Sequence, residues 1–449
     1  MNELLNISPV DGRYKKKTEG LKDYFSEYAL IKYRVLVEIK WLIFLIDKRI
    51  INVNIDADEI KKVLNIIENF SLDDAERVKE IENETKHDVK AVEYFLREKM
   101  TDIELDKLLP FIHITLTSED VNNVSYNLMV TNGLKLYLDN LKKLIDTLNE
   151  MAKTYRDVPM LARTHGQIAS PTTVGKEMKV FSYRLESIKK ILESTKLRSK
   201  FSGAVGNYNC HVVAFPEVDW ITITKEFIET LDLKYNPVTT QIESHDILCV
   251  LLSYIKIINN IIKDLDSDMW LYISNNYFIQ KVNVNEVGSS VMPHKVNPIN
   301  YENSMANTEI SNGIIDALVN NLSISRLQRD LSDSSKLRNI GVIFSHSLIS
   351  VKETLVGLNK LNVNQEQLLN ELDDHYEVLS EAVQTILRKN GVSNAYELLK
   401  ELSRGKKITK EEMREYIKKL DITEYDKEIL LNLEPKNYIG LCVSIVDNN

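Results

Sequence analysis

Apolar residues recur at three-and-four spacing over long stretches of this chain. Leu138, Leu141, Ile145, Leu148 and Ala152 share one face, and no proline interrupts before Pro159, so the spacing predicts one helix from about residue 118 to about 155. Thr117 or Ser118 can cap it, with Glu119 and Asp120 in its first turn. A second long helix follows Pro171, with Phe181, Leu185, Ile188 and Leu192 on one stripe. The segment "DILCVLLSYIKIINNIIKDLDSDMWLYIS" at 246–274 is apolar on most of its circumference, which a helix on a monomer's surface would not tolerate. It contains Lys256, Lys263, Asp264 and Asp266 and is therefore not a membrane span. Such a helix needs enclosure on several sides, and a bundle shared between subunits supplies it.

The flanks differ. Residues 1–112 form a charge-rich region of shorter helical segments, and beyond residue 360 the period shortens again, as in "RGKKITKEEMREYIKKL". That run, with both signs of charge, reads as a solvated helix face. Three regions are expected: 1–112, a long-helix region 113–360, and 361–449. Only 14 glycines and 9 prolines punctuate 449 residues, which favours long helices over strands and turns and predicts an all-α chain. A net charge of −9 argues against nucleic acid as a partner. The three cysteines, Cys210, Cys249 and Cys442, are odd in number and far apart, and are expected to be core thiols of a reducing compartment. The N-terminus lacks an apolar segment behind a basic start, and "WLIFLI" at 41–46 is too short to span a bilayer. The expectation is a soluble, cytoplasmic protein with no membrane partner.

Against this background "GSSVMPHKVNP" at 288–298 is anomalous, because it concentrates glycine, serine, proline, histidine and lysine where helical periodicity stops. "TSED" at 117–120 and "ARTHGQ" at 162–167 are two further polar loops, and a helix-to-helix turn needs neither His165 nor Lys295. The 288–298 stretch is not a P-loop, no HExxH or CxxC offers a zinc site, and no GxSxG elbow is present. "ESHD" at 243–246 has cation-binding side chains but reads more simply as a helix cap. A serine on a Gly-led loop beside Lys295 can act as a base if the loop closes and excludes water. Such a base suits removal of a proton from carbon next to a carboxylate, and His165 is the natural acid for a leaving group.

These residues carry a resemblance. "SSVMPHKVNP" resembles the SSxMPxKxNP loop of the aspartase/fumarase superfamily, and "TSED" and "RTHGQ" resemble its other two active-site segments. Within it, "SPVDGRY" at 8–14, "KHDVKAVEYF" at 86–95 and "RDLSDSSKLRN" at 329–339 are similar to the adenylosuccinate lyase family, along nearly the whole chain. The resemblance implies an all-α, three-domain homotetramer with a central long-helix bundle. It implies cleavage of adenylosuccinate to AMP and fumarate, and of succinyl-aminoimidazole-carboxamide ribotide (SAICAR) to AICAR and fumarate, with no cofactor and no metal. Ser289 would be the base, His165 the acid, and Glu302 would orient His165. Lys295 and Asn297, with Met292, would hold the fumaryl part, joined by Thr117 and Ser118 at a helix N-terminus. Arg13, Tyr14, Arg329, Ser334 and Arg338 would bind the phosphate and neighbouring groups, and Lys86, His87, Asp88 and Gln241 would line the nucleotide site.

Lys86 stands where several relatives have Asn, Ser244 where several have Pro, and Met305–Ala306 where several have Glu-Gly. Carboxymuconate-type cycloisomerases share "MPHK" and "THGQ" but should lack the "SPVDGRY" start and the arginine-rich 329–339 segment. A catalytically silent helical scaffold is the reading from another class, and the joint presence of Ser289, His165, Lys295 and Glu302 weighs against it. A straight helix over 118–155 separates "TSED" from "RTHGQ" by about 55 Å, so a site using both is expected to draw them from different subunits of a symmetric oligomer.

Overall fold

A computed structural model describes residues 3–282, 291–405 and 407–449. The chain forms two compact units, one of Met1–Asn140, Ile188–Asn260 and Ala306–Ser350, the other of Leu141–Ser187, Ile261–Met305 and Val351–Asn449. The division points fall within helices rather than in linkers. The predicted long helices are present as Ser118–Thr154, Val174–Ser194 and Asp246–Ser274, and Ile299–Leu322 and Ile340–Asn359 add two more.

In the first unit the helix Glu27–Asp47 starts at Ser26, whose hydroxyl accepts the Ala29 N–H. Trp41 is buried near its far end, edge-on to Phe201 and Phe227 at 4.9 Å each, and its indole N–H donates to the Ile114 carbonyl. Phe25 stacks on Phe344 at 4.9 Å. Two glycines make room for that ring: a Cβ on Gly133 or Gly341 would come within 2.4 or 2.6 Å of Phe25. Polar groups in this core pair with one another. The Ser347 hydroxyl lies 2.9 Å from Tyr137 Oη and 2.5 Å from Asn259 Oδ1, and Asn259 donates to Ser311.

The second unit corrects one expectation. "ARTHGQ" is not a helix-to-helix loop but the tip of a β-hairpin, Pro159–Thr164 against Gln167–Thr173, antiparallel with Thr164 facing Gln167. The β-branched run Thr164, Ile168, Thr172, Thr173 suits extended backbone, and His165–Gly166 closes the two-residue turn. Two shorter strand pairs, Arg198–Ser199 with Lys234–Tyr235 and Phe278–Gln280 with Leu361–Val363, leave the architecture helical. The C-terminal helices enclose a core of Leu372, Leu379, Val383, Leu387, Met413 and Ile417, which Leu161 of the hairpin joins. The charge run at 404–420 lies largely in the helix Lys410–Lys418, started by a capping box between Thr409 and Glu412.

Cys249 and Cys442 are buried as expected, whereas Cys210 is exposed. One segment among the described residues, Ser332–Asn359, is long and apolar enough to cross a membrane, and 72% of its apolar window is buried inside the protein.

Asp266, with no exposed surface, accepts from Thr354 at 2.8 Å through one oxygen while the other has no hydrogen-bond partner. Burial pushes its carboxyl from the ordinary 3.8 to about 8. At neutral pH the folded chain therefore keeps a proton that the unfolded chain has lost. This contribution to stability is full below pH 3.8 and is lost as pH rises through about 8. Asp266→Asn should reduce the drop in melting temperature between about pH 5 and about pH 9; an equal drop in both proteins would show that Asp266 is charged in the folded state.

Candidate active site

The helix Ser118–Thr154 begins on a buried ion pair. Asp120 and Lys200 are both fully buried, 2.7 Å apart. Asp120 also accepts from the N–H groups of Ser202 and Gly203 and from the Thr117 N–H, and the Lys200 ammonium donates to the Gly203 carbonyl. Asn123 adds a two-way bond to the Lys200 backbone. The acidic first turn expected to serve the helix dipole is therefore a structural lock, satisfied on every side. It leaves Thr117 and Ser118 half-buried at the helix N-terminus, where hydroxyl and backbone donors suit an anion.

Glu119, one residue on, is buried and pairs with Arg329 at 3.2 Å. Burial pushes its carboxyl up to about 7, with Arg329 pulling the other way. Arg329 also donates to Ser334 at 3.1 Å and to Gln241 at 3.3 Å, and Gln241 is anchored to the Ala204 carbonyl. Two predicted residues, Ser334 nearby and Gln241 from 88 positions away, thus meet on the guanidinium of a third. Behind them lie Asp333 and His245, the latter in the 243–246 stretch that reads by sequence as a helix cap. Glu119, His245 and Asp333 bring ligand-type atoms within 4.8 Å of one another, and Arg329 already supplies a cation to the group.

The second cluster of the same unit centres on Asp88. Arg34, buried, pairs with it at 2.6 Å and donates to Asn122, and Arg338 reaches the same carboxylate oxygen at 3.4 Å while pairing with Glu27 at 2.7 Å. Burial opposes charge on Asp88, but Arg34 and Arg338 hold its carboxyl below the ordinary range. His87 precedes the helix Asp88–Asp102 and accepts the Lys90 N–H on Nδ1. Lys86 ends the helix Leu72–Thr85 in the left-handed conformation, φ 55°. Arg13 is exposed and Tyr14 half-buried, following a turn in which Tyr14 N–H donates to the Pro9 carbonyl. An open cavity of about 600 Å³, lined among others by Ser8, Asp11, Lys15, Glu27 and Arg338, runs beside this N-terminal segment. Arg34, an apolar-face arginine by sequence position, was missed because nothing local marks it.

In the second unit His165 is exposed at the hairpin tip with φ 53°, followed by Gly166 at φ 73°. A two-residue turn with both residues left-handed favours Asn–Gly; histidine in the first place is a strained choice that points to function. The hairpin is held from its flanks. Arg163 pairs with Glu371 at 2.5 Å and donates to Tyr277 at 3.1 Å, and Tyr277 itself bonds Glu371. On the other strand Ser170 bonds Glu381, which also accepts from Tyr438. Met292, Lys295 and Asn297 lie in the segment leading into the helix Ile299–Leu322, where Lys295 N–H donates to the Met292 carbonyl and Gln280 holds the Val296 carbonyl. Glu302 is exposed and accepts from the Trp270 indole. Ser289 lies outside the described residues.

Residues 12–310 match the lyase family model and residues 325–439 the model for the adenylosuccinate lyase C-terminal region. The fold is that of a fumarate lyase from Mesorhizobium sp. BNC1 (TM-score 0.76, 19% identity, 96% of this chain and 97% of that one). It is also that of a 3-carboxy-cis,cis-muconate lactonizing enzyme from Pseudomonas putida (TM-score 0.73, 18% identity, 96% of each chain). The chain belongs to the aspartase/fumarase superfamily of lyases. Adenylosuccinate lyases of Buchnera aphidicola (Schizaphis graminum) and Escherichia coli K12 are 47% and 46% identical to it, each over 100% of this chain and 99% of the relative. Within the superfamily, its family is that of the adenylosuccinate lyases.

Lys86 holds a left-handed φ that Asn and Gly tolerate more readily than Lys. Lys86→Asn should raise folding stability by about 1 kcal/mol in chemical denaturation. Lys86→Ala, equally unsuited to positive φ, should not; stabilisation by both would trace the effect to lost charge.

Proposed function

We propose that this chain is a carbon–nitrogen lyase of purine biosynthesis that releases fumarate from adenylosuccinate, leaving AMP, and from SAICAR, leaving AICAR. The observation that carries the reading is end-to-end identity of 46–47% to adenylosuccinate lyases; the meeting of Gln241, Arg329 and Ser334 supports it. In this reading Ser289 takes the proton from the succinyl carbon next to a carboxylate. The C–N bond then breaks, a carbon–carbon double bond forms, and the bond's electrons pass to nitrogen, which His165 protonates. Glu302 orients His165. Met292, Lys295 and Asn297 hold the fumaryl carboxylates together with Thr117 and Ser118. Arg13, Tyr14, Arg329, Ser334 and Arg338 take the phosphate and its surroundings, and Lys86, His87, Asp88 and Gln241 line the nucleotide pocket. No cofactor takes part. Incubating the purified protein with adenylosuccinate should give AMP and fumarate in equal amounts; assembled protein that forms neither would refute the activity.

We place the working enzyme in the cytoplasm as a homotetramer of three-region subunits (1–112, 113–360, 361–449), with sites built from more than one chain. Two observations support the assembly. The Ser118–Thr154 helix is unbroken over 37 residues, about 55 Å. The long helices also leave large apolar side chains at the surface, among them Tyr183 and Ile191, Val250 and Ile257, and Trp270 and Leu271, which a second copy would cover. Ser118→Ala and His165→Asn should each lower turnover by about a hundredfold or more. Refolding the two inactive proteins together should restore activity at about a quarter of sites, half times half. Mixed oligomers as inactive as their parents would put both residues on one chain.

A further inference from the structure

Three buried carboxylates and one imidazole cluster beside the partners of Arg329, and the chemistry assigned above uses none of them. Glu119, Glu243, Asp333 and His245 are each at most 5% exposed. His245 Nε2 lies 3.7 Å from Asp333 Oδ2, and His245 Nδ1 lies 4.0 Å from Glu243 Oε2. Neither His245 Nε2, Asp333 Oδ2 nor Glu119 Oε1 has a hydrogen-bond partner, although all are closed to solvent. The backbone here is costly as well: His245 sits at φ 61° just before the helix Asp246–Ser274, a conformation that non-glycine residues adopt only when their surroundings impose it. A strained, buried, titratable side chain among three acids calls for a reason beyond packing.

Charge supplies one. Each contact of Arg329 runs back to this cluster. Its carboxylate partner is Glu119; its Ser334 partner follows Asp333, whose other oxygen accepts the Ser334 N–H at 2.7 Å; its Gln241 partner lies four residues before His245. One guanidinium cannot serve three buried carboxylates and still present itself to a ligand, and an unpaired buried carboxylate would draw it inward. We propose that His245 is a positioning residue for Arg329: as an imidazolium it pairs with Asp333 and Glu243, so that Arg329 answers only to Glu119 and remains aimed at the substrate through Gln241 and Ser334. Burial opposes charge on His245, but Asp333, Glu243 and Glu119 outweigh it and raise its pKa above the ordinary 6.5. The groups that set this balance are Asp333 on its short helix, Glu243 in the preceding loop, Glu119 on the Ser118–Thr154 helix, Arg329, and the Lys200 ammonium beyond Glu119.

The inference rests on Arg329 being a substrate ligand, and the test separates the two. Asn keeps the left-handed backbone and removes the charge. His245→Asn is expected to raise KM for adenylosuccinate about tenfold with kcat within about twofold, in protein of wild-type oligomeric state. Adding Asp333→Asn removes the matching negative charge and should bring KM back to within about threefold of wild type. In the wild type KM should climb with pH as His245 loses its proton, a rise absent from the double variant. Arg329→Ala is measured alongside. If it raises KM while His245→Asn does not, or while the folded double variant is as weak as the single, the positioning role is overturned and the substrate contact stands. If Arg329→Ala leaves KM unchanged, the contact itself falls and the inference with it. Should His245→Asn not assemble, the double variant decides: KM near wild type supports the role, a tenfold rise overturns it.

Discussion

The candidate site residues of the first unit around Thr117, Ser118 and Arg329 hang on the charge pair between Asp120 and Lys200. Neither has any exposed surface, and the pair offsets its desolvation with further hydrogen bonds to Thr117, Ser202 and Gly203. Removing one partner from such a pair costs about 3–5 kcal/mol. What that energy secures is position: the start of the 37-residue helix is fixed against the 198–203 segment, which places Thr117, Ser118 and Glu119, and through Glu119 it places Arg329.

Two arginines of the candidate site are met by acids. Arg338 is paired with Glu27 and Asp88, and Arg329 with Glu119. These carboxylates hold flexible side chains in place, and any anion reaching the guanidinium groups would compete with them for the same donors. Buried Arg34 moderates that competition at Asp88, since it binds the same carboxylate at closer range than Arg338 does. On the second unit the equivalent task falls to the C-terminal helices. Glu371, Glu381 and Tyr438 grip both strands of the hairpin, so residues beyond position 360 hold the turn that carries His165.

Much of this was legible in the sequence and the rest was not, for definite reasons. Long helices announce themselves by spacing, and the Ser118–Thr154 helix follows its stripe of leucines and isoleucines to within a residue or two. Gln241, Arg329 and Ser334 were named through motif resemblance, and the fold brings them together. The hairpin was hidden because its strands are short and its turn carries His where Asn would be the signal. Asp120 was visible only as a first-turn acid, because its partner Lys200 lies eighty residues on, and a buried ion pair has no local signature. Arg34 and Asp333 were missed, and His245 was read as part of a helix cap, for the same reason: long-range charge balance is a property of the fold, not of a window of sequence.

The turn at His165 and Gly166 also restricts what can vary there. With both residues left-handed, position 165 is open at low cost only to glycine, asparagine, aspartate and, less readily, histidine. Of these only histidine exchanges a proton near neutral pH, so backbone shape and the acid role proposed for His165 together leave drift at this position almost no alphabet. Lineages that lose the activity should show it here first, by a change to asparagine or glycine that leaves the hairpin standing and the protein folded.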